Sequence, residues 1–148
     1  MGLRLWVAAL GIVAVVGTAL AQGSAMGDVI AQRRAGLKRM SGHMDAMKAV
    51  VESKGDVRPL AARLDEMIAW YREMPALFPP GSDRGDTKAL PAVWSDRGGF
   101  ETANANLLRQ LEVLKAAASA GDTAGFSTAF RATGPQFCGG CHRQYRAR

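Results

Sequence analysis

Ile30 to Val51 reads IAQRRAGLKRMSGHMDAMKAVV. Ile30, Leu37, Met44 and Val51 recur every seven residues, and Met40 and Met47 fall on the second position of the same seam. Apolar side chains at those two positions form the stripe by which a helix packs into a bundle. The stripe is broken once, at Arg33. A charge in a packed seam needs a buried or half-buried partner, because desolvating it alone is costly.

Working outward, the spacing predicts a first helix from about Met26 to Val51, ended by Gly55 and Asp56. A second runs from about Val57 to Met74, with Leu60, Leu64, Met67, Ile68 and Tyr71 on its apolar face. Pro59 suits its first turn and Pro75 closes it. Pro75 to Gly99 reads as a long irregular stretch with Phe78, Leu90, Val93 and Trp94 as apolar anchors. Loops of that length inside compact domains are usually functional. A third helix from about Phe100 to Ser119 carries Leu107, Leu111, Leu114 and Ala118 on one face. Gly121-Asp122 is a stop followed by an N-cap. The fourth, from about Thr123 to Arg146, turns Phe126, Phe130, Thr133, Phe137 and Cys141 inward. Short first and third connections make neighbours antiparallel, so the expected fold is all-α, an up-down-up-down four-helix bundle. Pro135 lies inside the fourth helix, removes the bond to the Arg131 carbonyl and should kink or split it.

The N-terminus reads as a separate segment. Arg4, an apolar run from Leu5 to Leu20 and Ala19-Leu20-Ala21 have the order of a cleaved secretory leader. The run is shorter than the ~20 residues that span a bilayer. The expected division is a leader over 1–21, cleaved after Ala21, and one exported domain over 22–148 with no stable membrane anchor. Formal net charge is +6 across 148 residues, and loss of Arg4 lowers it by one. Acids are interleaved with the bases and no basic block stands out, which argues against nucleic-acid binding. A basic surface could steer acidic redox partners or meet anionic membrane surfaces.

Near the C-terminus stands Cys138-Gly139-Gly140-Cys141-His142, in a chain with two cysteines and two histidines. C-x-x-C-H is the attachment signature of c-type haem: both thiols bond the haem vinyl groups and the histidine reaches the iron. A disulfide between the two cysteines is a second reading, favoured by an oxidising compartment. Against it, redox C-x-x-C pairs usually open a helix in a βαβ setting. A structural zinc site is a third, and only His43 could complete its four ligands. On a helix Cys138, Cys141 and His142 share one face, so a single helix can deliver both thioethers and the iron ligand.

With these motifs in place the chain resembles the class II cytochromes c, most closely the cytochrome c′ family. The resemblance covers the whole of 22–148. It rests on Cys138, Cys141, His142, Tyr145 and Arg146; on Asp28 through Arg33 to Leu37; on Phe78 to Ser82; and on Leu90 to Trp94. It implies one covalent haem c, and a homodimer through helices 1 and 2. It also implies a five-coordinate high-spin iron that binds NO and often CO, with roles in NO handling and periplasmic electron transfer. Arg33 then matches the arginine that pairs with a haem propionate, Leu37 the residue over the distal face, and Arg146 a basic residue near the proximal face. Phe78 and Trp94 are expected to wall the haem.

Function turns on whether the iron has a second protein ligand. His43 lies ~240° round the helix from Leu37, and is expected on the surface. Met40 and Met44 lie on the seam beyond Leu37, and some class II relatives are low-spin with a methionine from the first helix. The leading expectation is an exported gas-binding haem protein with His142 as the iron ligand. The alternative is a low-spin electron carrier with a Met sixth ligand. No general acid or base is evident beside the motif, so turnover of a substrate is not expected.

Overall fold

A computed structural model of the chain describes residues 13–148, with side chains from residue 26 onward. The expected leader over 1–21 lies for the most part outside the described residues. Six α-helices follow one another: α1 (Val13–Ser53), α2 (Leu60–Glu73), α3 (Ala92–Ser95), α4 (Arg97–Ala120), α5 (Thr123–Ala132) and α6 (Gly139–Tyr145). No helix among the described residues is long and apolar enough to cross a membrane.

The heptad stripe does what its spacing dictates. Met40 and Met47 of α1 are buried against Leu60, Leu64 and Met67 of α2, Leu107, Leu111 and Leu114 of α4, and Phe126 of α5. Helix α1 packs on α2, α2 on α4, α4 on α5, and α5 back on α1. That closed ring is a four-helix bundle. Fully burying side chains of this kind contributes about 1.5–3 kcal/mol each.

The fourth helix is not one element. Between α5 and α6 the backbone of Thr133–Cys138 is a π-helix. Pro135 has no N–H for an α-helical bond, and the wider π turn takes the chain past it without breaking the rod. The Gly139 N–H donates to the Gly134 carbonyl, five residues back. Gln110 steadies the junction from α4: its Nε2 donates to the Ala129 carbonyl at 2.9 Å and to Thr133 Oγ1 at 3.2 Å.

The stretch 75–99 is more ordered than its sequence suggests. Met74–Leu77 is a 3₁₀ turn containing Pro75, and Ala92–Ser95 is the short α3. Helix α4 begins three residues before the expected Phe100. Asp96 caps it, accepting from the Gly99 N–H at 3.2 Å. Gly98 and Gly99 are poor helix formers and hid this start.

The described polar surface of the α1–α2 contact also departs from expectation. His43 is buried, not on the surface. Its position round α1 faces α2, where Arg63 Nη1 donates to Nδ1 at 3.3 Å and Nε2 lies 3.2 Å from Glu66 Oε2. An arginine can only donate, so Nδ1 is the acceptor in that pair, and Nε2 lies near Glu66 without a hydrogen bond to it.

Two C-caps make a useful contrast. Gly121 closes α4 with φ 70°, its N–H and that of Asp122 donating to the Ala118 and Ala117 carbonyls. Lys54 closes α1 with φ 54° although it has a Cβ. A left-handed residue other than glycine costs on the order of 1 kcal/mol. Lys54→Gly is therefore expected to raise holoprotein stability by about 1 kcal/mol, read by denaturant unfolding. A destabilised variant would contradict the backbone assignment.

Candidate haem site

At one end of the bundle a cavity of about 640 Å³ opens between α1, α2, α4 and α6. That volume lies in the range of cofactor sites. Cys138, Cys141 and His142 form one wall, and Leu37, Met40 and Met44 of α1 stand in the lining with them. The two cysteines are free thiols, half-buried on consecutive helical turns. Burial pushes both thiols up. A backbone hydrogen bond opposes this at Cys138, and Cys138 itself adds to it at Cys141. His142 is shifted down, first by the surrounding wall and then by the Arg146 guanidinium. The shift favours the neutral imidazole, the form that ligates a metal. No disulfide is present, and no cluster of three or more His, Cys, Asp or Glu able to hold a metal ion exists among the described residues.

Arg33 is 2% exposed and sits at the cavity's edge. Its guanidinium donates to Ser82 Oγ at 2.9 Å, the Ser82 carbonyl at 2.7 Å, Thr87 Oγ1 at 2.6 Å and the Leu77 carbonyl at 3.3 Å. It lies 4.5 Å from the centre of the Phe78 ring. Burial lowers its pKa, yet a guanidinium stays charged. The anomaly in the seam is the clamp that ties the 75–99 stretch to α1. All its described partners are neutral, so a buried positive charge borders the cavity.

Leu37, Phe78 and Arg146 all line the cavity. Trp94 does not. It stands behind Phe78, ring centres 6.2 Å apart, and its Nε1 donates to the Pro79 carbonyl at 2.9 Å. It lines a separate surface recess with Pro75, Pro79 and Pro91. Trp94 therefore supports the wall rather than forming it.

The sequence reading missed Asn104. It is buried, donates from Nδ2 to the Tyr71 carbonyl at 2.9 Å, and lines the cavity with Oδ1 unpartnered. Its signal was available: like Arg33, it is a polar residue on an apolar stripe, three before Leu107. Tyr71 and Tyr145 line the same space. The Tyr71 phenol is raised, by burial and then by Cys138 and Cys141.

The C-terminal turn is held by backbone as well as by its helix. Ala89 and Arg146 form an antiparallel bridge, Leu90 N donates to the Tyr145 carbonyl at 3.0 Å, and Ala147 N to the Lys88 carbonyl at 2.8 Å. The Tyr145 hydroxyl donates to Asp96 Oδ2 at 2.7 Å. A Cβ at Gly99 would run into both the Asp96 carboxylate and the Tyr145 hydroxyl, so this corner requires glycine.

A family model described as cytochrome C′ matches residues 28–146. The chain belongs to the cytochrome c′ family. It is 32% identical over 123 residues to cytochrome c′ of Rubrivivax gelatinosus, covering 81% of this chain and 95% of that one. It is 35% identical over 116 residues to cytochrome c′ of Pararhodospirillum photometricum, covering 77% and 92%. Among solved structures, a nitric oxide complex of a mutant of cytochrome c prime from Alcaligenes xylosoxidans superposes with a TM-score of 0.75 at 28% identity, covering 83% and 96%.

Cytochrome c′ proteins carry one covalent c-type haem. The residues here fit it: two thiols and a neutral imidazole on one wall, an apolar wall from α1, and a buried cation at the edge. The two cysteines of the chain, Cys138 and Cys141, would supply the thioethers.

The Tyr145 phenol is pushed up to about 12, first by its hydrogen bond to Asp96 and then by burial. The native state thus holds this proton more tightly than the unfolded chain, where tyrosine titrates near ~10. The benefit is complete below pH ~10 and is lost as pH rises through about 12. Tyr145→Phe holoprotein is expected to be less stable than wild type by a gap that is constant below pH ~10 and narrows above it. Unfolding by denaturant across that range measures the gap, and one that widens at high pH would contradict the Tyr145–Asp96 bond.

Proposed function

We propose that this chain is a periplasmic cytochrome c′ whose iron takes His142 as its one protein ligand and binds NO, and CO, on the side facing Leu37. When bound, the haem supplies an iron centre for a diatomic ligand and for one-electron transfer. One observation carries the reading. The only other histidine of the chain, His43, is buried between α1 and α2 with Arg63 and Glu66 and is no part of the cavity lining. No second imidazole is available from this chain.

The α1 wall adds support. The Leu37 side chain can neither ligate nor donate a hydrogen bond, so it favours NO and CO over O₂, which takes on negative charge when bound and needs a donor for stabilisation. Arg33 at the edge supplies positive charge for a haem propionate, and Arg146 sets the field beside His142. Phe78 walls the cavity. The protein binds and exchanges electrons rather than turning over a substrate. The family relationship and the leader-like N-terminus support the periplasm, and the family's habit supports a homodimer through α1 and α2.

A second reading has its own observation: Met40 and Met44 both line the cavity, and a thioether can ligate iron. Met40 is 1% exposed and packed into the core, which leaves it little freedom to move. Titration of the ferrous holoprotein with NO is expected to end at one equivalent, followed optically. Met40→Leu and Met44→Leu, made separately, are expected to leave the starting spectrum unchanged. No NO binding, or a spectrum that shifts with either substitution, would favour the methionine-ligated carrier.

A further inference from the structure

The two tyrosines of the chain, Tyr71 on α2 and Tyr145 on α6, both line the cavity. They differ in what each phenol can do with its proton. The Tyr71 phenol is raised by burial first and then by the two thiols, and no carboxylate contributes. The Tyr145 hydroxyl instead donates to Asp96 Oδ2 at 2.7 Å, an ordinary length for an O–H···O bond. Asp96 is exposed, so a proton on its carboxylate can pass to solvent.

The ring of Tyr145 is fixed as firmly as its oxygen. It is 4% exposed and lies edge-on to Phe100, ring centres 5.4 Å apart. Cys141, one turn earlier on α6, packs against the same cluster. A thioether at Cys141 would therefore join the haem to a residue packed with this ring. Beyond Phe100 the row continues to Phe78, at 5.1 Å, and then to Trp94. Neither phenylalanine carries an O–H to give up, so Tyr145 is the group nearest the attachment motif in this row that can lose an electron and a proton together.

We infer that Tyr145 and Asp96 form a proton-coupled redox site, which supplies one electron to the haem cavity when a peroxide enters it. The inference rests on the haem reading above. Hydrogen peroxide takes two electrons and two protons as its O–O bond breaks, and leaves as two waters. Tyr145 gives one of those electrons; its O–H bond breaks and the proton crosses to Asp96 Oδ2, so a phenoxyl radical and a carboxylic acid form together. The bound haem gives the other electron, and solvent gives the two protons. A soluble reductant returns both electrons, and the proton on Asp96 returns to the phenol. A base already bonded to the proton it takes speeds such a step. A bond that only anchored α6 would do so with any polar partner at position 96, and the variants below separate the two roles.

The test uses the covalently loaded holoprotein, one equivalent of hydrogen peroxide and freeze-quench electron paramagnetic resonance. Wild type is expected to give an organic-radical signal that sharpens when the protein is grown with ring-deuterated tyrosine. Tyr71→Phe is expected to keep the signal and Tyr145→Phe to lose it. Asp96→Asn keeps a cap for the Gly99 N–H and a polar partner for the phenol, but its amide is no base. It is expected to slow formation of the signal by about tenfold or more.

A signal that persists in Tyr145→Phe, or disappears in Tyr71→Phe, would overturn the inference, as would formation in Asp96→Asn at the wild-type rate. So would the absence of any signal in wild type, or a signal that ring-deuterated tyrosine leaves unchanged, which would place the radical on Trp70 or Trp94. The covalent haem mass and the resting spectrum are read before peroxide is added. A failed haem reading shows there, whereas a failed redox pair shows afterwards, in a protein whose haem is in place.

Discussion

Pro135 has no N–H to give, and the haem-bearing end of the chain is built around that missing bond. A helix that ran on unbroken from Thr123 would need it. The π turn at Thr133–Cys138 does not, and Gln110 and Thr133 brace the place where the backbone widens. The last residue of that turn, Cys138, and the Cys141 and His142 of the helix that follows line the cavity together. π turns are rare and concentrate at functional sites because they re-aim side chains without ending a helix. The cost of the wider turn, and of two glycines at the attachment motif, is offset by anchors beyond it. The Ala89–Arg146 bridge and the Tyr145–Asp96 hydrogen bond fix the far end. Arg33 fixes the same stretch of chain from α1. The cavity is therefore held from both sides by polar contacts, while the bundle core holds it from below.

Much of this was legible in the residues. A seven-residue repeat in α1 and apolar stripes in α2 and α4 determine a bundle, since only a helical neighbour can cover each stripe. The attachment motif names its own cofactor, because two thiols and an imidazole at that spacing suit few other groups. The one charge in the α1 seam pointed to a buried partner set, though not to Ser82 and Thr87, which are far away in sequence. Asn104 carries the same signal on α4, a buried polar residue in an apolar stripe.

What was not legible depends on contacts across the chain. Pro135 announces a defect, but the contacts that brace the widened turn come from Gln110 on another helix. Asp96 is an N-cap by type, and Gly98-Gly99 masked it because propensity alone disfavours a helix there. Their helix survives through the Asp96 cap, which also receives Tyr145. His43 was placed by its angle from Leu37, and that angle was sound. The face it points to is α2 rather than water. The resemblance puts Trp94 on the haem wall; it is one layer behind, against Pro79. Acids and bases interleave along the sequence, whereas folding gathers Lys38, Lys88 and Arg146 at one mouth.

The central claim is that His142 is the sole protein ligand and that the α1 wall leaves the iron's other side open to a small gas. Resonance Raman and optical spectra of the resting ferric and ferrous holoprotein, recorded near neutral pH without added ligand, test it most directly. The account predicts five-coordinate, high-spin iron in both states. A low-spin spectrum with a methionine-to-iron band would contradict it.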